Sequence, residues 1–245
     1  MPPTVRHPQR RNQVLSRDQI IDVAIGILDS GGESALTLRT VTERLATGSG
    51  AIYYRVGTRD ELLDAATETL ITGVLVSHVA KDSDTPRDAI AGVALALFDA
   101  IAAHRWLATR LIIQLVRYPL GQVTVSIFET IGRQVQALGV SRSAWFDATS
   151  TIVHYILGAV SQHARFGEDA SAGGADRQGF LEVTAAAWQE LPPERFPFMH
   201  AILDQMRTHD DRQQFTSGIT TILDGLPILD PPSPDSFVTS IAAER

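Results

Sequence analysis

The 245-residue chain contains no cysteine. That removes disulfides, thiolate metal sites and cysteine nucleophiles together, and it agrees with a cytoplasmic setting. Lysine is nearly missing as well. Of 21 basic residues only Lys81 is a lysine, a bias that reads as a GC-rich genome rather than as chemistry. The longest apolar run, Ala89 to Phe98, is about half of the ~20 residues needed to cross a bilayer, so no membrane partner is expected. The opening stretch MPPTVRHPQRRNQ has no apolar core, so no secretory signal is expected. Catalytic signatures are equally scarce. There is no G-x-S-x-G elbow, phosphate-binding loop, H-E-x-x-H pair or G-x-G-x-x-G after a strand. His154 and His163 lie nine residues apart, roughly 180° around a helix, and cannot share a ligand. The residues around His209, Asp210 and Asp211 read as a helix cap. An enzyme is therefore not expected.

What is present is ordinary globular composition, 44% apolar and 20% charged, in a length that allows a small and a larger domain. The net charge of −7 would argue against nucleic acid, but its distribution argues otherwise. Residues 1–17 hold four arginines and no acid, and residues 18–65 hold four arginines and eight acids. The first 65 residues are thus neutral, and the rest of the chain carries the whole deficit. A nucleic-acid-facing arm and a merely solvated basic tail both fit this asymmetry.

Periodicity is helical almost throughout, which predicts an all-α fold. Ser16-Arg17-Asp18-Gln19 is a capping box. It opens a helix with Ile20, Ile21, Ala24, Ile27 and Leu28 on one face, which Gly31-Gly32 can stop. A second short helix follows Thr37 through Leu38, Val41 and Leu45. Thr47 to Gly50 reads as a turn, and a third helix spans roughly Ala51 to Arg55. Thr58-Arg59-Asp60-Glu61 is another capping box, opening a long helix through Leu62, Leu63, Ala66, Leu70 and Val74. Beyond a polar break at Lys81 to Thr85, helices are expected over Pro86–Ala103, Trp106–Tyr118, Val123–Leu138 and Ser141–Ala164. After a Gly/Ala/Asp-rich loop over 165–179 they resume over Phe180–Glu190, Phe196–Arg207 and Arg212–Leu226. The tail PPSPDS cannot continue a helix. The expected organisation is a basic arm (1–17), a three-helix DNA-binding domain (18–65), a larger helical effector-binding and dimerisation domain (66–228) and a Pro-rich tail (229–245).

Three short helices with a tight turn between the second and third form a helix-turn-helix, a unit that lays its second helix in the DNA major groove. The third helix is too short to be stable alone, and it carries Ser49, Tyr53, Tyr54 and Arg55 where a core helix would carry leucine. Gly50 and Ala51 are small enough for close approach to a backbone. Arg59 sits in the first turn of the fourth helix, where a cation opposes the macrodipole unless an anion is present. A solvated arginine and a half-buried Tyr53 are the plainer readings of these two residues.

The stretch from Leu15 to Ala66 resembles the N-terminal DNA-binding region of tetracycline-repressor-type (TetR-family) transcriptional regulators. The resemblance rests on Gly31/Gly32, Thr37-Leu38-Arg39, Leu45, Ile52-Tyr53, and Arg59 before Leu62-Leu63. It implies phosphate contacts by Thr37, Tyr53 and Arg59, with Ser49, Gly50, Ala51, Tyr54 and Arg55 along the groove. Arg17 and Arg39 complete the expected DNA-facing set. In three places the sequence departs from the family pattern: Ala46 replaces a usual glycine, Arg55 a histidine and Arg59 a lysine. Ala46 implies backbone strain, which Gly48 and Gly50 are expected to relieve.

A weaker resemblance to the tetracycline-repressor ligand-binding domain covers GVSRSAWFDATSTIVHYILGAV and the segment from Leu191 to Leu226. The Ser141–Ala164 helix looks apolar all round, which calls for burial on every side. With the last helix it is expected to build a dimer interface through Ala148, Ile152, Ile156, Ala159, Phe215, Ile219 and Ile222. The alternative is that both helices serve the chain's own core. Twofold pairing would let two recognition helices read a palindromic operator. Phe98, His104, Trp106, Gln114, Tyr118, Phe128, His154 and Tyr155 are the candidates for an apolar effector cavity with a few polar groups. The resemblance would also imply a drug–magnesium ligand held by histidines and a glutamate. His154 matches one histidine, but Gln162 stands where the carboxylate is expected, so neither a metal nor another cofactor is predicted. The expected function is a ligand-responsive regulator, most simply a repressor, with operator DNA, a small effector and a second copy as partners. The alternative is a helical ligand-binding or scaffold protein that does not bind DNA.

Overall fold

The computed structural model describes residues 15–78, 85–173 and 177–227, with side chains described outside 163–173. The basic arm up to residue 14, most of the Lys81–Thr85 break and the Pro-rich tail lie outside the described residues. Those that are described form twelve α-helices and one 3-10 turn, with no β-strand among them. Two compact units divide between Ala66 and Thr67.

In the first unit, α1 (Arg17–Ala35) starts at the predicted box: the Gln19 amide donates to Ser16 Oγ at 3.1 Å and the Ser16 amide to Gln19 Oε1 at 3.0 Å. It kinks at Gly32, whose φ of 65° is costly for any other residue. Thr37 caps α2 (Leu38–Leu45) through Thr40. The turn that follows bends at Ala46, φ 48° and ψ 46°, the one non-glycine among the described residues with positive φ. The expected relief by Gly48 does not occur. Gly48 is the extended N-cap of α3 (Ser49–Val56), φ −84°, and Ala46 holds the left-handed conformation itself. Helix α3 also begins earlier than expected, taking Ser49 and Gly50 into its first turn. Ile20, Ile21, Leu28, Leu36, Val41, Ile52, Leu62 and Leu63 are all buried and form the core. Helix α4 (Arg59–Ser77) crosses the division: Leu62 and Leu63 belong to the first unit, while Ile71 and Leu75, buried, and Leu70 and Val74, half-buried, belong to the second.

The second unit is arranged around α8 (Trp145–Gly173), which packs against α5 (Pro86–Ala103), α6 (Trp106–Arg117), α7 (Gln122–Ala137), α9 (Arg177–Gln189) and α12 (Asp211–Asp224). A 3-10 turn over Arg142–Ala144 precedes α8. The helix runs on to Gly173 where a loop was expected; alanine-rich composition supports helix as readily as loop. The single helix expected over Phe196–Arg207 is two, α10 (Pro197–Ala201) and α11 (Leu203–Arg207), separated by Ile202 at φ −103° and ψ 3°.

Two ion pairs fix the direction of α12 on α5. Arg87 at the start of α5 meets Asp224 at the end of α12 at 2.7 Å, and Asp99 near the end of α5 meets Arg212 at the start of α12 at 3.0 Å. Only the antiparallel arrangement brings both pairs together. Each is partly exposed and contributes about 0–1 kcal/mol, so they select orientation more than they stabilise.

The burial pattern corrects the expected dimer interface. Ala148, Ile152 and Ile156 on α8, and Phe215 and Ile219 on α12, are each at most 5% exposed within one protomer. They belong to the chain's own core, and only Ala159 and Ile222 remain half-exposed. Nor is α8 apolar all round: Asp147, Thr151, His154 and Gly158 lie exposed on its other face. A stripe at i, i+4, i+8 reads the same whether its cover comes from the same chain or another; here α5, α7 and α12 supply it. Among the described residues no single helix is long and apolar enough to cross a membrane.

Candidate nucleic-acid interface and ligand cavity

Helix α3 is amphipathic in a particular sense. Ile52 and Val56 face inward, buried against the core. Ser49, Gly50, Ala51, Tyr53 and Tyr54 face outward, with Tyr53 59% and Tyr54 89% exposed and Arg55 half-buried beside them. Two large aromatics left in water on an eight-residue helix are costly unless something covers them. Gly50 sharpens the point. A Cβ there would meet nothing within 4 Å, so nothing inside the described protomer requires a glycine in a helix that alanine would favour.

The arginines differ from one another. Arg17 is exposed. Arg39 is 86% exposed and pairs along the helix with Glu43 at 2.8 Å. Arg59 is half-buried, its guanidinium turned toward the end of α1. Its Nε donates to the Leu36 carbonyl at 2.7 Å, one terminal nitrogen donates to the Glu33 carbonyl, and the other pairs with Asp60 at 3.0 Å. The guanidinium therefore caps the negative end of α1, which offsets the unfavourable position of a cation in the first turn of α4. The turn is otherwise closed by the expected box, in which the Thr58 amide donates to Glu61 at 2.7 Å and the Glu61 amide to Thr58 Oγ1 at 3.2 Å. The Thr58 amide and then its hydroxyl hold the Glu61 carboxyl below its ordinary range. The Thr37 hydroxyl lies 3.1 Å from that of Thr40.

In the second unit a cavity of about 740 Å³ opens among α5, α8, α9, α10, α11 and α12. It gathers three of the sequence candidates, Phe98, His154 and Tyr155. Phe128 lines a second cavity of about 560 Å³ with Val125, Trp145 and Phe146. The remaining candidates line neither. Trp106 and Gln114 are buried in the core. His104 ends α5, and Tyr118 ends α6 with 46% exposure. Polar and aromatic residues at helix ends resemble site residues in sequence, but here they cap and pack.

Sequence reasoning missed most of the large cavity. Arg177, Phe180, Trp188, Phe198, Met206, His209 and Asp211 line it, and all belong to elements after α8. Asp210 is the N-cap of α12, as expected, its carboxylate accepting from the Gln213 amide at 2.6 Å. Its neighbour Asp211 does something else. One oxygen accepts from Arg177 Nε at 2.9 Å, and the other meets the second Arg177 nitrogen and His209 Nε2, the latter at 2.9 Å. A charge pair between α9 and α12 leaves no spacing signal, because its members are 34 residues apart.

The lining does not suit a magnesium-borne ligand. Among the described lining residues the carboxylate is Asp211, whose two oxygens are already engaged, and Gln162 brings an amide where a hard cation favours carboxylate. Among the described residues no group of three or more histidines and carboxylates could hold a metal ion.

Comparison with known proteins places this architecture. The tetracyclin repressor-like C-terminal domain matches residues 80–229. The HTH-type transcriptional repressor DrrR1 of Streptomyces coeruleorubidus is 27% identical over 236 residues, spanning 92% of this chain and 83% of that protein. The solved structure of the transcriptional regulator SCO7222, a TetR from Streptomyces coelicolor, is 48% identical with a TM-score of 0.77, covering 86% of this chain and 97% of that one. The TetR-family protein ActR from Streptomyces coelicolor, in complex with actinorhodin, shares the fold at 24% identity and a TM-score of 0.67, over 86% and 96% of the two chains. With its all-helical fold, its helix-turn-helix and the match across most of the larger unit, the chain belongs to the tetracyclin repressor-like family of transcriptional regulators, which are not enzymes.

Proposed function

We propose that this regulator is a repressor that binds a palindromic operator as a homodimer and is released when a small, largely apolar effector enters the 740 Å³ cavity. The observation that carries the DNA-binding half is the outward face of α3, with Gly50 open to close approach and Tyr53 and Tyr54 exposed beside it. On this reading Ser49, Gly50, Ala51, Tyr54 and Arg55 lie along the major groove. Thr37 and Tyr53 contact phosphate, with Arg17 and Arg39 adding charge at the flanks. Arg59 acts by holding α1 and α4 together, so that the α4 amides face a phosphate. Relatives named as repressors support the direction of regulation.

Dimerisation falls to the surface that α8 and α12 leave open: Thr151, Ser217, Thr221 and Ile222 are exposed or half-exposed, and all but Ile222 are small; Ala159 lines the cavity instead. Small residues let helices approach closely. A structural relative seen with actinorhodin supports a small-molecule effector. Release requires the effector to favour the DNA-incompetent state, and a 100-fold loss of operator affinity needs about 2.7 kcal/mol of differential binding. The test is a gel shift with DNA from upstream of the protein's own gene, at stated salt. Tyr54→Ala and Arg55→Ala should change preference among operator variants, and Tyr53→Ala should weaken all of them. Unchanged affinity in all three folded variants would overturn the assignment.

A further inference from the structure

We infer that the second cavity is a docking groove for the chain's own segment after Pro227, with Phe237, Val238 and Ile241 covering its apolar floor. The groove, about 560 Å³, lies between α7 and the start of α8 and reaches the turn after α6 at Pro119. It leaves large apolar side chains in water: Phe146 is 73% and Val125 48% exposed, and Phe128 and Trp145 are half-buried. A patch of this kind marks a contact surface. Gly132 also lines it. A Cβ there would touch Thr149 at an ordinary 3.6 Å, so the packing of α7 on α8 does not require a glycine, which a helix interior disfavours.

The chain itself comes to the mouth of this groove. Helix α12 ends at Asp224, and the Pro227 carbonyl accepts from the Ser141 amide at 3.4 Å. From Ser141 the 3-10 turn leads to Trp145 at the near end of the groove, a rise of about 8 Å. The Trp145 indole N–H donates to the Val140 carbonyl at 2.8 Å, which fixes the ring there. Helix α7 ends where α8 begins and Gly132 faces Thr149, so the two run antiparallel. The groove therefore leads from Gln136, beside Trp145, back to Val125, roughly 17 Å along α7. Ten positions separate Pro227 from Phe237, a reach of up to about 33 Å, enough to enter at Trp145 and run the whole length.

The segment has the matching chemistry. In sequence, Phe237, Val238 and Ile241 stand at i, i+1 and i+4, the spacing that gathers apolar side chains on one side of a helical turn. Apolar grooves are commonly filled in that form. The charges between Pro227 and Phe237 are Asp230 and Asp235, both acids. The near half of the groove carries Arg142, 5.8 Å from the centroid of the Trp145 ring, and Arg133, whose contact with Glu129 is a long 3.9 Å. Opposite charges thus meet along the entry path. A second copy of the chain is the rival occupant. However, Thr151, on the surface proposed for dimerisation, lies about 140° around α8 from Phe146, so groove and surface face different ways.

The experiment uses the full chain, which has no cysteine, so engineered thiols report without background. With copper phenanthroline as oxidant, Gln136→Cys combined with Val238→Cys should close an intramolecular disulfide at a rate independent of protein concentration. Thr151→Cys combined with Val238→Cys, the control for a tethered thiol that merely collides, should close at least tenfold more slowly. A maleimide should label Gln136→Cys alone at least fivefold faster once Phe237→Asp or Phe146→Ser releases the segment. Phe146 is exposed, so its replacement leaves the fold intact, which circular dichroism checks. The inference is overturned if the Thr151→Cys control closes as fast, or if neither release variant changes the labelling. It is also overturned if the first pair joins only between chains at a rate that rises with concentration, which assigns the groove to a second copy.

Discussion

Replacing Gly50 with alanine separates what α3 needs for folding from what it needs for binding. The added Cβ meets nothing within 4 Å, so no steric cost arises in the free protein. Alanine is favoured over glycine in a helix by up to about 1 kcal/mol, the upper end applying away from the first turn. Gly50 lies in the first turn of α3, so the gain is below that limit and raises Tm by less than the roughly 2–4 °C that 1 kcal/mol gives a chain of this size. On the proposed docking of α3, the same methyl falls between the helix and the groove of the operator. Overpacking a close interface by one methyl costs about 1–3 kcal/mol, which weakens binding roughly 5- to 150-fold. The assay pairs a circular-dichroism melt with fluorescence anisotropy, at one fixed salt, on a duplex selected by the wild-type protein from random sequence. The two readouts should move in opposite directions: higher Tm, lower affinity. If Gly50→Ala melts higher and binds as tightly as the wild type, the start of α3 does not press against DNA and the proposed docking face is wrong.

Other expectations follow from single residues. Ala46→Gly should relieve the left-handed strain, worth about 1–2 kcal/mol less the entropy glycine adds to the unfolded chain; a melt should show a higher Tm with operator affinity unchanged, and a lower Tm would contradict the turn geometry. Arg59→Ala removes two hydrogen bonds to the α1 carbonyls and should destabilise the first unit by about 1.5–3 kcal/mol, seen as faster amide exchange in α1 and α4 before any effect on DNA is measured. Ile156→Arg places a charge at a site 2% exposed within one protomer and should unfold or aggregate the protein; a soluble, folded monomer would restore Ile156 to an interface. Because the Glu61 carboxyl is held below its ordinary range, its contribution is present at neutral pH and lost as pH falls through that lowered value. Glu61→Gln should flatten this acid dependence of amide exchange at the start of α4.

The helix-turn-helix was legible because its information is local. Ser16 with Gln19, Thr37 with Thr40 and Thr58 with Glu61 cap within three residues, Gly32 supplies a positive φ, and Ile52 against Tyr53 separates inside from outside by one step around a helix. Geometry of that kind is dictated by residues next to each other in the chain. The cavity was legible only through Phe98, His154 and Tyr155. Its other walls come from α9 to α12, and Arg177 meets Asp211 only because α9 and α12 pack beside α8. Likewise, an apolar stripe on α8 says that Ile152 and Ile156 are covered, not by which chain. Periodicity measures how much surface must leave water; the packing of helices distant in sequence decides what covers it, because burial has no direction until a partner surface is in place.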